Sequence, residues 1–297
     1  MKLVSAAKLR KAQQSVVQSR EYRNQLNALL LEVSSEEVQG SDLLQARPSI
    51  KKVRLLVVGG SRGLCGAYNS ALNKRVEAIT RERTANNAAL TMDAVLLGRK
   101  PAEYFRRTRR MIAASYEELS EDPNQWPIDQ VCDRLEKDFL SGEVDEVLMV
   151  YTRFRSAISM SVEVEKLLPM DSDSLRQQAA EALRGAKSKT GASQRQQAAG
   201  EMQVVGGTAV QSGGILFEPS AQEVFSALLP RILRSNLRQA CLEARASEHG
   251  SRMTAMDAAT KNAGELSQSL QLKYNKLRQL GITSQLLDIV GGAEALN

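Results

Sequence analysis

Aromatic residues make up only 4% of this 297-residue chain, with one Trp and five Phe. A core of this size must then be built mainly from aliphatic and small side chains, which favours long helices rich in Ala, Leu, Gln, Arg and Glu. There is one histidine, His249, and three cysteines, Cys65, Cys132 and Cys241, with no paired spacing. That set excludes a zinc cluster of the usual kind and a disulfide framework, and it fits a reducing compartment. No apolar run approaches the roughly 20 residues of a membrane span, and the first residues lack the charged, apolar and small-residue order of a signal peptide. Acidic residues are outnumbered, 34 against 40 basic, for a net charge of +6. The basic residues are dispersed along the chain, which suits a solvated surface or an acidic protein partner and gives no nucleic-acid footprint.

What is present falls into three parts. Residues 1–45 read as an N-terminal shaft helix, with no Gly or Pro before Gly40 and a sparse apolar stripe that suits one partner face. Residues 50–215 read as an α/β head. Within it Val53 to Val58, Met92 to Leu97 and Val144 to Tyr151 are apolar runs expected as buried strands, and Ser156 to Leu168 alternates like an edge or hairpin strand. Helices are expected from Cys65 to about Arg83, near Pro101 to Arg107, and from Pro127 to Leu140. Strands alternating with helices imply a small, Rossmann-like domain with a largely parallel sheet. The Gln-, Ala-, Ser- and Gly-rich stretch 170–214 reads as a flexible excursion without a core of its own. Residues 220–297 read as a C-terminal shaft helix, about 110 Å long if continuous. Two long terminal helices around a compact domain imply an antiparallel coiled coil projecting from a head. Small residues fill the middle of the last helix, from Ala244 and Ala246 through Gly250 to Ala263 and Gly264. They suit either tight packing of two helix axes or a slim shaft in a confined space.

The stretch LLVVGGSRGLCGAYN, Leu55 to Asn69, looks at first like a phosphate-binding turn between strand and helix. Its chemistry does not fit. No lysine followed by Ser or Thr closes a Gly-x-x-x-x-Gly pattern, and Gly60, Gly63 and Gly66 lie three apart, which fails the dinucleotide spacing. The glycines are expected to allow a tight turn against neighbouring backbone.

Three motifs carry a resemblance. The segment Ala246 to Leu296, ASEHGSRMTAMDAATKNAGELSQSLQLKYNKLRQLGITSQLLDIVGGAEAL, resembles the C-terminal signature of the gamma subunit of F-type ATP synthases: ASE, then RM-x-AM-x-A-T-x-NA, LQL-x-YN-x-R-Q and a final IT…IV-x-GA. The start MKLVSAAKLRKAQ is similar to that family's first helix, and SRGLCGAYN to its SDRGLCG turn. The family carries Ser-Asp where this chain has Gly60 and Ser61, so a contact made by that aspartate is not available here.

The resemblance implies a central rotor shaft. It would stand inside a ring of alpha and beta subunits, rest with the epsilon subunit on a ring of c subunits, and couple ion-driven rotation to three catalytic sites. It implies no bond chemistry, no cofactor, no metal and no nucleotide at the turn. It places the chain peripherally on the cytoplasmic side of a bacterial inner membrane or an equivalent energy-coupling membrane. Met1 and Lys2 match positions facing an acidic lever loop of a catalytic subunit. Glu248 and Arg252, from ASE…RM, and Gln279 and Thr283, from RQ…IT, match positions that meet the catalytic subunits. Leu216, Phe217 and Glu218 fall where the family's head meets the c ring and epsilon. Cys65 and Cys241 are expected as buried apolar residues, and His249 as a surface helix residue. The chloroplast-type regulatory cysteine pair is absent, which excludes that thiol switch. The family also carries about two dozen residues before the methionine at position 1; the start is assigned late or the first helix is short. In the short form Leu277, Leu280, Ile282, Leu286, Leu287 and Ile289, beyond about Leu272, would lack cover from the chain itself. Two other classes explain less. A nucleotide-binding α/β enzyme needs a phosphate loop and a catalytic set, and a free-standing coiled-coil tether does not explain the motifs.

Overall fold

The computed structural model describes residues 1–33, 41–157, 159–170 and 218–294. Helix α1 spans Lys2–Val33. Strand β1, Lys52–Val58, leads through the glycine turn to helix α2, Tyr68–Asn86. Strand β2, Thr91–Leu97, is followed by helix α3, Arg99–Arg107, and strand β3, Ile112–Tyr116. Helix α4, Ile128–Leu140, precedes strands β4, Glu146–Phe154, and β5, Met160–Leu168. Helix α5, Ala221–Glu294, runs unbroken for 74 residues with Pro230 inside it. The excursion expected over 170–214 lies, but for Met170, outside the described residues.

The sheet has the order β3-β2-β1-β4-β5, and only β5 runs antiparallel, against β4. β3 was not foreseen from the sequence. IAASY is short, its residues are all half-buried, and it lacks the apolar run that marks the central strands. β1 is central and buried on both faces from Val53 to Val58, as a parallel strand covered on two sides should be. Alternate residues then feed two cores. Val53, Leu55 and Val57 pack with Leu72, Val76 and Ile79 of α2 and with Ala102 and Phe105 of α3. Leu56 and Val58 pack with Val131, Leu135 and Phe139 of α4, with Leu229, Ile232 and Leu233 of α5, and with Leu26, Leu30 and Val33 of α1. α1 and α5 run in opposite directions, since Lys2 pairs with Asp257 and Arg20 with Glu243.

One charge lies inside the sheet. Arg54 is 1% exposed and donates from Nε and Nη2 to the two carboxylate oxygens of Asp93 at 2.8 and 2.9 Å, and also to Asp138 and Glu143. Lys52 adds a contact to Asp93 at 3.2 Å. Burial alone would raise the Asp93 carboxyl, but the hydrogen bonds and charges of Arg54 and Lys52 outweigh it and hold it below the ordinary range.

Among the described residues no helix is long and apolar enough to cross a membrane, and no group of side chains is arranged to hold a metal ion.

Candidate functional site

The chain leaves β1 to build β2 and β3 on one side and returns to place β4 on the other. In open α/β sheets the crevice beyond the carboxyl ends of two such strands is where ligands bind. Here α5 occupies it. Tyr68 Oη, just past the turn, donates to the Ala244 carbonyl at 3.1 Å. Ser247 Oγ donates to the carbonyl of Thr152 in β4 at 3.1 Å. The Phe154 amide donates to Glu243 Oε2 at 3.4 Å, and Arg20 of α1 donates to Glu243 Oε1 at 2.8 Å. Small residues let the helix come this close. A Cβ on Gly250 would lie 2.5 Å from Met160 Cε, and Gly66 approaches Ala255. The small-residue tract therefore divides: Ala244, Ala246, Ser247 and Gly250 pack into the head, while Ala258, Ala259, Ala263 and Gly264 face outward.

The glycine turn is shaped by its neighbours. A Cβ at Gly59 would sit 2.4 Å from Pro101 Cγ, and one at Gly98 (φ +107°) 2.5 Å from the Gly59 carbonyl oxygen. Those close approaches require glycine, and they involve protein atoms throughout. The turn is a tight strand-to-helix connection, as its spacing suggested.

Charged side chains close the crevice. Glu248 is 2% exposed and accepts from Arg245 at 2.7 Å and from Arg252, whose Nε also donates to the Gly63 carbonyl at 3.3 Å. His249 is buried too, at 5% exposure, beside Arg252. Burial first, then the positive charges of Arg245, Arg252 and Lys8 acting against Glu248, push its pKa down to about 4. The expectation of a surface histidine is thereby corrected: α5 is enclosed on this stretch, so even its polar positions lie inside. All three cysteines are buried and free, and burial raises each thiol, that of Cys132 to about 12.

Beyond this junction the surroundings of α5 change abruptly. From Asp257 to Gly292 every residue is exposed except Asn275, which is half-buried. The exposed residues include Leu266, Leu270, Leu277, Leu280 and Leu287, each more than half exposed. Their spacings of 4, 7, 3 and 7 are those of the a and d positions of a heptad.

A family model described as ATP synthase matches residues 1–296. An ATP synthase gamma chain of Acaryochloris marina is 40% identical over all of this chain and 93% of its own length. One of Synechococcus elongatus is 39% identical over all of this chain and 92% of its own. The chain belongs to the ATP synthase gamma chain family. The fold agrees. The central stalk and c-ring structure of Tetrahymena thermophila mitochondrial ATP synthase matches with a TM-score of 0.53 at 20% identity, over 88% of this chain and 97% of that one. The F1 and c-ring structure from Euglena gracilis mitochondria matches with 0.53 at 17% identity, over 98% and 95%.

Within this gamma-type chain the sequence-derived positions separate into groups. Met1, Lys2, Gln279 and Thr283 are exposed; Lys2 pairs with Asp257, and Thr283 Oγ1 donates to the Gln279 carbonyl at 2.9 Å. Glu248 and Arg252 are instead buried and paired with each other. Glu218 is exposed three residues before α5, while Leu216 and Phe217 lie outside the described residues. Leu277, Leu280, Ile282, Leu286, Leu287 and Ile289 are all at least half exposed, and the uncovered stretch begins at Asp257, earlier than Leu272. Sequence reasoning missed Tyr68, Glu243, Arg245 and Ser247. Ala244, Glu248, Arg252 and Ala255 share one helix face, which a count by helical period could have marked as a seam.

Proposed function

We propose that this gamma-family chain is the central rotor shaft of an F-type ATP synthase. Family membership supports the reading, and the observation that carries it is the division of α5. One half is locked into the head, and the other presents a heptad of apolar side chains with no cover among the described residues. Such a face needs a partner. In the fuller reading the two terminal helices form an antiparallel coiled coil under a Rossmann-like head. The exposed half stands inside the ring of alpha and beta subunits. Met1, Lys2, Gln279 and Thr283 meet the catalytic subunits directly. Glu248 and Arg252, spent on internal pairs, contribute by fixing the segment from which those contacts project. The head, including Leu216, Phe217 and Glu218, rests on the c ring with epsilon. This puts the chain at the cytoplasmic face of an energy-coupling membrane without spanning it.

The mechanism is mechanical. Ion flow turns the c ring and the head turns with it. The asymmetric shaft offers each of three catalytic sites a different set of contacts in succession. Each site changes state because its conformers bind the shaft with different free energies. The chain itself breaks no bond. Co-expression with alpha and beta subunits and attachment of a bead to the head tests this. The expected result is a stable complex whose ATP hydrolysis rotates the bead in one direction. Failure to co-purify, or hydrolysis without rotation, would overturn the reading.

A further inference from the structure

Between the start of α1, the glycine turn and α5 lies a half-open cavity of about 390 Å³. Its charged lining consists of four cations, Lys8, Arg62, Arg245 and Arg252, and no carboxylate lines it. The acids that pair with them are not part of its lining: Glu248 is buried, and Glu121, half-exposed, lines an adjoining hollow. Glu121 is shared by Lys8 and Arg62, and Glu248 by Arg245 and Arg252. Two carboxylates serving four cations leave a surplus of two positive charges facing the space. Arg245 is more than nine-tenths buried, and its Nε has no hydrogen-bond partner. His249 forms part of the wall and is held neutral, so it adds no charge of its own.

We propose that this cavity binds a phosphate dianion. Arg62 and Arg245 each meet a carboxylate through Nη1 and have further guanidinium donors that suit phosphate oxygens. Lys8 adds a point charge, and Arg252, whose three nitrogens engage Gly63, His249 and Glu248, contributes its charge. Ser5 is a further polar residue of the lining. Recognition here is by side chains and uses no backbone phosphate loop. The turn contributes Arg62 from its outer side. The space exceeds one phosphate, and Met1, Val4 and Leu64 give it an apolar wall. Free phosphate and the terminal phosphate of a nucleotide are thus the two sources of this chemistry.

His249 is the only histidine of the chain and lines the cavity, so it reports occupancy directly. The full chain, carrying ¹³C-labelled histidine, is titrated at pH 7 and fixed ionic strength with inorganic phosphate, with ADP, and with chloride. The expected result is a single imidazole cross-peak that moves saturably with inorganic phosphate and does not move with chloride. Saturation with ADP alone would assign the phosphate to a nucleotide and support the site. No saturable movement with either would overturn it. The double variant Lys8→Gln/Arg62→Gln removes two side chains that are 36% and 67% exposed, and so spares the core. Its Kd for phosphate should rise at least tenfold. An unchanged Kd would place any binding elsewhere and overturn the assignment.

Discussion

Arg54 brings a full charge into the middle of the sheet, where it is stable only because Asp93, Asp138 and Glu143 surround it. Removing one partner of such a pair strands the other, at a cost of roughly 3–5 kcal/mol. Asp93→Asn should therefore lower the stability of the chain by that order in urea unfolding. The pH dependence has a definite sign. The folded Asp93 carboxyl lies below its ordinary value, so its contribution is complete above the unfolded carboxylate pKa and is lost as pH falls through the folded one. Unfolding temperature measured downward from pH 5 should drop more steeply in the parent chain than in Asp93→Asn. Parallel curves would show that the pair is not what acid disrupts. Two glycines, one between β2 and α3 and one in the turn, make a second contrast. Gly98 combines a left-handed φ with a Cβ site 2.5 Å from backbone oxygen, whereas nothing lies within 4 Å of a Cβ on Gly63. Gly98→Ala should cost on the order of 1–3 kcal/mol or more, and Gly63→Ala less than about 0.5. Arg252 and Gln279 separate in the same way. Arg252→Ala leaves Glu248 buried with half its partners and should lower the melting temperature of the isolated chain, while Gln279→Ala, on the exposed stretch, should not.

At the scale of elements, α5 is one helix with two environments. Residues 225–255 are packed against the sheet, α1 and α4, whereas Asp257 to Gly292 are held by the helix's own hydrogen bonds and a few exposed side-chain contacts such as Lys2 with Asp257 and Gln271 with Asn275. Isolated helices of this kind open locally at little cost. Amide exchange in the isolated chain should be fast from 257 onward and slow before 255, and inside a complex with alpha and beta subunits the far half should become protected. Uniform protection in the isolated chain would contradict the division. The sequence showed much of this architecture and missed specific pieces for physical reasons. β1, β2 and β4 were legible because central parallel strands must be apolar on both faces. β3 was not, because an edge strand of five half-buried residues leaves no such signature. The far half of α5 was legible as a shaft because a helical run with thinly spread glycines, too long for a compact domain of this size, has to project from it. The near half was misread at His249, since a helix that fills a crevice buries polar side chains too, and hydropathy does not distinguish a solvated histidine from an enclosed one.

At the scale of the whole molecule, the proposed rotor predicts where function is lost without loss of assembly. A hydrogen bond to a charged group is worth roughly 1.5–3 kcal/mol, enough to change a rate tenfold and too little to disperse a large complex. Gln279→Ala should reduce ATP hydrolysis by the reconstituted complex about tenfold while the subunits still co-purify. Full turnover would put Gln279 on a face that touches nothing. The way α5 is held also governs how load passes through it. Ala244, Glu248, Arg252 and Ala255 face the turn and α2; Glu243, Ser247 and Gly250 face β4 and β5; Leu242 and Ala246 face Leu9 and Val16 of α1. At 3.6 residues per turn these three rows stand roughly a third of a revolution apart around a cylinder about 10 Å wide. That is the arrangement of a three-jaw chuck. A rod gripped from one side rolls away from a push in one sense and is caught in the other. A rod gripped from three sides can roll in neither, so this joint should carry torque equally clockwise and anticlockwise, and any preference for a direction of rotation must arise elsewhere than where the shaft meets its head.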